Sequence, residues 1–211
     1  MLFPEIKKYC DELTGEFDKI PEQRKMILNK ITHYIVAKQA ENKAVQLVYI
    51  CTHNSRRSQF GQIWAQVAAA YFGIKNVHAF SGGTEATAFH ANAIRALKKF
   101  GFKISASGDV SNPVYEITFD DSQKPILCFS KVYDHRANPA TDFIAIMTCS
   151  DAEENCPFVA GAELKIAITY DDPKAFDNTE LQDLKYGERC QQVARESFYV
   201  FSNVHSSKPN K

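Results

Sequence analysis

The run Val45-Gln46-Leu47-Val48-Tyr49-Ile50 ends at Cys51-Thr52-His53-Asn54-Ser55-Arg56-Arg57-Ser58, and a helical pattern begins at once. The first six residues read as a short, buried parallel strand. Phe60, Ile63, Trp64, Val67, Ala68 and Tyr71 then recur on one helical face, and Gly73 suits the helix stop. A short loop between strand and helix can turn several backbone N–H groups toward one point, an anion nest at a helix N-terminus. Thr52, His53, Asn54, Ser55, Arg56 and Arg57 are therefore candidate oxyanion-binding residues, with Arg57 as a bidentate clamp. Cys51 stands at the base of the nest, where the amide dipoles and the guanidinium would favour a nucleophilic thiolate. Ser58 could donate to that sulfur. Taken alone, the stretch is also a buried cysteine ahead of a basic helix start. The strand before it and the helix after it favour the chemical reading.

Outward from this stretch, residues 4–16 and 21–41 read as two helices, with Ile27, Leu28, Ile31 and Ile35 on one face of the second. Residues 1–44 form an N-terminal helical extension, and 45–211 the main unit. Residues 76–80 make a second strand, closed by Ser81-Gly82-Gly83, whose glycines suggest a tight backbone passage beside the first loop. A helix over 91–100 follows. Residues 114–119 and 126–129 predict a β-hairpin insertion at about 112–130. Strands over 143–148 and 164–169 and a helix over 179–204 complete the chain. This alternation predicts an α/β fold: a doubly wound, four-stranded parallel sheet with helices on both faces. Ligands then bind beyond the carboxyl ends of the strands. Cys51, Cys149 and Asp172 each follow a strand, so they fall on one rim.

The chain has 211 residues, a formal net charge of +0 and 45% hydrophobic residues, enough for one globular unit with a sizeable core. A balanced charge offers no electrostatic case for nucleic acid or a membrane surface. No apolar run is long enough to span a bilayer. Met1-Leu2-Phe3-Pro4-Glu5 lacks the pattern of a signal peptide, so a cytoplasmic location is expected. In that reducing compartment Cys10, Cys51, Cys128, Cys149, Cys156 and Cys190 are core filler or chemistry rather than a disulfide framework.

Two further segments carry chemistry. Cys149-Ser150-Asp151-Ala152-Glu153-Glu154-Asn155-Cys156-Pro157 is a C-x6-C run. If its middle is helical, the two sulfurs are too far apart to bond until the helix unwinds, which describes a switch rather than a staple. No second cysteine pair or matched histidine cluster supports a metal centre. Asp171-Asp172-Pro173 projects Asp172 from a loop, where a carboxyl above an anion nest could protonate a departing oxygen.

Together, the Cys51–Gln59 segment, the Ser81-Gly82-Gly83 loop and Asp172-Pro173 resemble the low-molecular-weight protein tyrosine phosphatase superfamily. The Cys149–Pro157 segment is similar to the redox segment of its thioredoxin-coupled arsenate reductases. The resemblance covers about residues 45–203. It implies that Cys51 attacks arsenate held by the loop and Arg57, with Asp172 assisting loss of water. Cys149 then attacks Cys51, Cys156 attacks Cys149, and thioredoxin reduces the final disulfide. The alternative is a tyrosine phosphatase using only Cys51, Arg57, Ser58 and Asp172 on phosphate esters. A third reading is a non-enzymatic oxyanion or redox sensor. Three positions depart from the family. His53 stands where glycine is usual, and Arg56 where a second cysteine is common. Asn54 and Ser81 match a potassium site of some reductases, but Gln62 replaces its acidic ligand. Nothing in the sequence indicates an oligomeric state.

Overall fold

The computed structural model describes residues 1–156 and 158–207. Pro157, at the end of the second cysteine segment, and residues 208–211 lie outside the described residues. In chain order the elements are α1 (Pro4–Thr14), α2 (Glu22–Ala40), β1 (Val45–Cys51), α3 (Arg57–Tyr71), β2 (Val77–Gly83), α4 (Ala91–Lys99), β3 (Lys103–Ser107), β4 (Val114–Thr118), β5 (Ile126–Cys128), β6 (Phe143–Met147), α5 (Ser150–Asn155), β7 (Ala162–Ala167) and α6 (Gln182–Ser206).

Four strands form a parallel sheet in the order β2-β1-β6-β7. The chain leaves β1 for β2 on one side, then crosses to the other side for β6 and β7. That reversal opens a crevice beyond the carboxyl ends of β1 and β6. Alternate residues of the strands serve two cores, as the pleat requires. Leu47, Tyr49, Ile144, Ile146 and Ile166 join the large core shared with α1, α2, α3, α4 and α6. Val48, Ile50, Ala145 and Met147 face a smaller one, closed by the short α5, Val159 and Tyr133. Both faces are therefore covered by helix, long ones on one side and a single short one on the other.

Three of the six cysteines are filler in the large core. Cys10, Cys128 and Cys190 are buried there, and burial pushes each thiol up to about 12. Cys190 accepts a 3.1 Å hydrogen bond from Trp64 Nε1, the one polar atom of the largest core side chain.

The β4–β5 hairpin is present, and β3 extends it to a three-stranded antiparallel sheet. Nearly every residue of β3 is exposed or half-buried, so Lys103-Ile104-Ser105-Ala106-Ser107 carries no apolar stripe to announce it. The second difference is at β2, which runs on through Ser81-Gly82-Gly83 instead of ending before it. These residues pair with Tyr49, Ile50 and Cys51, so β2 ends level with the nucleophile.

Candidate active site

The segment from Thr52 to Arg56 belongs to no regular element, so the destinations of its backbone groups can be counted. Its carbonyls are tied down. Thr52 O accepts from Glu85 N at 2.8 Å, His53 O from Ser130 Oγ at 2.8 Å, Asn54 O from Gln59 Nε2 at 3.0 Å and Ser55 O from His90 N at 3.0 Å. Among the described residues, none of the N–H groups of Thr52 through Arg56 donates to another backbone group. With the oxygens turned outward and fastened, the N–H groups are left for the concave side. They meet the open N-terminus of α3 there, which is the geometry of an anion nest.

Asn54 makes the turn possible. Its φ of 46° lies in the left-handed region, which asparagine tolerates better than most residues. Its side chain is fully committed, with Nδ2 donating to Ser58 Oγ at 2.8 Å and Oδ1 accepting from Lys131 N at 3.0 Å. Ser58 Oγ lies 3.1 Å from Cys51 Sγ, and both residues are buried. Since Asn54 donates to Ser58, the serine hydroxyl proton is free to point at the sulfur. His53 leaves the nest clear, because its side chain is exposed and reaches Glu85 at 3.5 Å.

Gly83 is the tight passage that the paired glycines predict. A Cβ there would meet Glu85 O at 2.3 Å, Thr52 O at 2.6 Å and Asn54 N at 2.8 Å, all of them backbone. Gly83→Ala is expected to destabilise the fold by roughly 1–3 kcal/mol, the cost of overpacking a rigid site. It should also loosen the loop. Urea midpoints with and without inorganic phosphate measure both effects, and an unchanged midpoint would contradict the tight passage.

Arg57 is buried at the floor of the crevice. One terminal nitrogen donates to Tyr170 O at 2.9 Å and the other to Asp172 Oδ2 at 2.7 Å, while Nε is buried with no partner among the described residues. An orphaned guanidinium N–H beside a row of unpaired amides calls for an anionic acceptor. Asp172 also caps a short 3-10 helix, Pro173–Phe176, through Lys174 N at 3.0 Å.

Arg56 departs from the expectation that its side chain binds the oxyanion. Its Nε donates to Tyr186 OH at 2.7 Å and lies 3.9 Å from Asp172 Oδ1, and a terminal nitrogen donates to Asp177 Oδ2 at 3.3 Å. Asp177 also accepts from Tyr186 OH at 2.7 Å and Asn92 Nδ2 at 3.0 Å. Burial works to raise the Asp177 carboxyl, but these hydrogen bonds, His90 and Arg56 together hold it below its ordinary range. Asn92 and Tyr186 gave no sequence signal, because each is an ordinary helical residue until α4 and α6 converge on the loop. Tyr170, whose carbonyl receives Arg57, is buried and donates through its hydroxyl to Glu196 at 2.7 Å.

Cys149 lies two residues beyond the end of β6 and caps α5, its Sγ accepting from Ala152 N at 3.4 Å. The same sulfur lies 3.4 Å from Thr52 Oγ1, on the residue after Cys51. Cys156 closes the other end of α5, with Sγ 3.4 Å from Phe158 O. Cys51, Cys149 and Cys156 share one buried cluster, and all three are free thiols. A helical rise places Cys149 and Cys156 roughly 10 Å apart along the axis, so α5 must unwind before they can bond.

No family model matches the chain. Among curated proteins, an arsenate reductase from Bacillus subtilis is 29% identical over 149 residues, covering 71% of this chain and 87% of the relative. Arsenate reductase 2 from Staphylococcus epidermidis is 27% identical over 139 residues, covering 66% of this chain and 86% of the relative. In fold, the chain is similar to a low-molecular-weight phosphotyrosine phosphatase from Vibrio cholerae, with a TM-score of 0.51 and 11% identity over 75% of this chain and 95% of that one. The chain is thus similar in sequence to arsenate reductases and in fold to a low-molecular-weight phosphotyrosine phosphatase.

Near the loop, Asn54 Oδ1 accepts from the Lys131 amide at 3.0 Å, and Ser81 Oγ donates to Gln62 Oε1 at 2.6 Å. The strap behind the anion loop carries a buried cation of its own, since Lys131 is only 4% exposed. Burial pushes its ammonium down to about 8 from 10.5, with the neighbouring Cys128 pulling weakly the other way. The unfolded chain keeps this proton up to about 10.5 and the folded chain releases it near 8, so the stability penalty is present below pH 8 and fades as pH rises toward 10.5. Lys131→Met is therefore expected to be more stable than the wild type at pH 7 by roughly 3 kcal/mol. That advantage should shrink between pH 8 and 10.5. Urea midpoints across that range test it, and a pH-independent difference would contradict it.

Proposed function

We propose that this protein reduces arsenate to arsenite through a three-thiol relay, with a thioredoxin-type dithiol as the final reductant. The observation that carries the reading is the contact between Cys149 Sγ and Thr52 Oγ1, which sets a second thiol against the wall of the Cys51 nest. A phosphatase has no use for a thiol there.

The steps balance as follows. Arsenate occupies the free loop amides and Arg57, whose Nε gains the acceptor it lacks. The Cys51 thiolate attacks arsenic, and an oxygen leaves as water after protonation, with Asp172 as the acid at the mouth. The Cys149 thiolate then attacks Cys51 Sγ. The S–S bond forms, the S–As bond breaks, and its electron pair stays on arsenic, which leaves as arsenite. Cys156 attacks Cys149 Sγ, freeing the Cys51 thiolate and forming the Cys149–Cys156 disulfide as α5 unwinds. The external dithiol donates two electrons to reopen it.

The experiment is a coupled assay with thioredoxin, thioredoxin reductase and NADPH. Arsenate-dependent NADPH consumption is expected, and its absence would overturn the reading. The Cys51, Ser58, Arg57 and Asp172 arrangement also supports a second activity on aryl phosphates, since phosphate and arsenate share charge and shape. That reaction needs neither Cys149 nor Cys156.

A further inference from the structure

A second cavity of about 560 Å³ lies behind the anion loop, between α3, β2 and the small antiparallel sheet. Its apolar walls include Phe80, Phe119, Leu127 and Phe129, and no Asp or Glu lines it. Lys131 lines it too, with Nζ 4.6 Å from the centre of the Phe129 ring. The only hydrogen-bond acceptor for this ammonium among the described residues is Phe129 O, at a long 3.5 Å. No carboxylate pairs with it among the described residues. A buried cation without a counter-charge is among the costlier features a fold can hold, and it is retained where something else supplies the charge. A second unmet group stands in the same wall. Asn138 donates to Ser81 O and Tyr133 O, but its Oδ1 is buried with no partner. Lys124, on the same pocket and exposed, adds positive charge at its edge.

We propose that this pocket binds a small organic monoanion with an aromatic body, in chemical class an arene carboxylate, with Lys131 as its counter-ion. One buried ammonium matches one negative charge, and the phenyl walls match a flat apolar body. Asn138 Oδ1 would take a donor group on the ring. The pocket shares its back wall with the loop, since Lys131 N holds Asn54 and Phe129 O holds Gln59 at 3.0 Å. An occupant would therefore touch the strap that fixes the anion nest.

The test is calorimetric titration of the full chain with benzoate and with benzamide, its neutral counterpart, in saturating inorganic phosphate so that the Cys51 loop is already filled. Benzoate is expected to bind at least about 10-fold more tightly than benzamide, with that preference lost in Lys131→Met and retained in Lys124→Met. Equal binding of the two probes, no benzoate binding, or full benzoate affinity in Lys131→Met would each overturn the proposal. Amide chemical shifts of Lys131 and Phe129 give an independent readout. Benzoate that moves them in the wild type supports the pocket, and benzoate that moves only the Cys51 loop rejects it.

Discussion

Cys149→Ser is expected to abolish arsenate-dependent NADPH consumption, by at least about 10³-fold, because a hydroxyl cannot take the place of the attacking thiolate. The substitution should leave the fold intact. Cys149 caps α5 through Ala152 N, and serine is among the better residues for that position. The Thr52 contact can be kept as an oxygen-to-oxygen hydrogen bond. Cys51 would still load arsenate, but the adduct could only return to water and arsenate. Aryl phosphate hydrolysis should stay within about 3-fold of wild type, since that chemistry ends at the Cys51 adduct. The two activities thus separate on a single sulfur. Mass spectrometry after one turnover without thioredoxin gives a second view. Wild type should carry a Cys149–Cys156 disulfide, and Cys156→Ser should stop at Cys51–Cys149. Full turnover by Cys149→Ser would remove the relay and leave only an anion-cradling thiol enzyme.

Arg57→Lys is expected to lower kcat/KM for arsenate and for aryl phosphate alike, by about 10²–10³-fold. Arg57 donates to Tyr170 O and Asp172 through its two terminal nitrogens, and its Nε is buried without a partner among the described residues. A lysine ammonium is a point charge without a fixed fork, so it cannot serve the carbonyl, the carboxylate and an oxyanion at once. Asp172 would also lose its 2.7 Å tether, which places the candidate acid at the mouth. The defect should appear in phosphate binding by calorimetry as well as in rate, because the same N–H groups hold the ground state. Kinetics within 3-fold of wild type would show that the loop amides alone carry the anion.

Much of the sheet was legible from local pattern. Short apolar runs ending at Cys51, Cys149 and Asp172, separated by helical stripes, are enough to imply a parallel sheet, and a parallel sheet puts strand ends on one rim. The pairs Gly82-Gly83 and Asp172-Pro173 were legible from the residues themselves, since glycine permits a close backbone passage and proline restricts the residue before it. What stayed hidden depends on long-range partners. Strand β3 has no buried face, so its pairing with β4 is the only thing that makes it a strand. The fate of Arg56 could not be read either. From the sequence it is a second cation in a basic loop, and only the meeting of α4, α6 and the segment after Asp172 turns it onto Tyr186 and Asp177.

By itself, then, the amino-acid order determined which residues can react and which edge of the sheet they share, because strand periodicity and loop chemistry are properties of neighbours in the chain. The folded arrangement decided which side chains are free to act. Asn54, Arg56 and Ser81 are engaged in holding the loop; among the described residues, Arg57 Nε and the loop amides are left unpaired, and Lys131 is buried behind them without a carboxylate partner. Those outcomes follow from hydrogen-bond capacity being finite, so a group's availability depends on every partner that packing brings within reach.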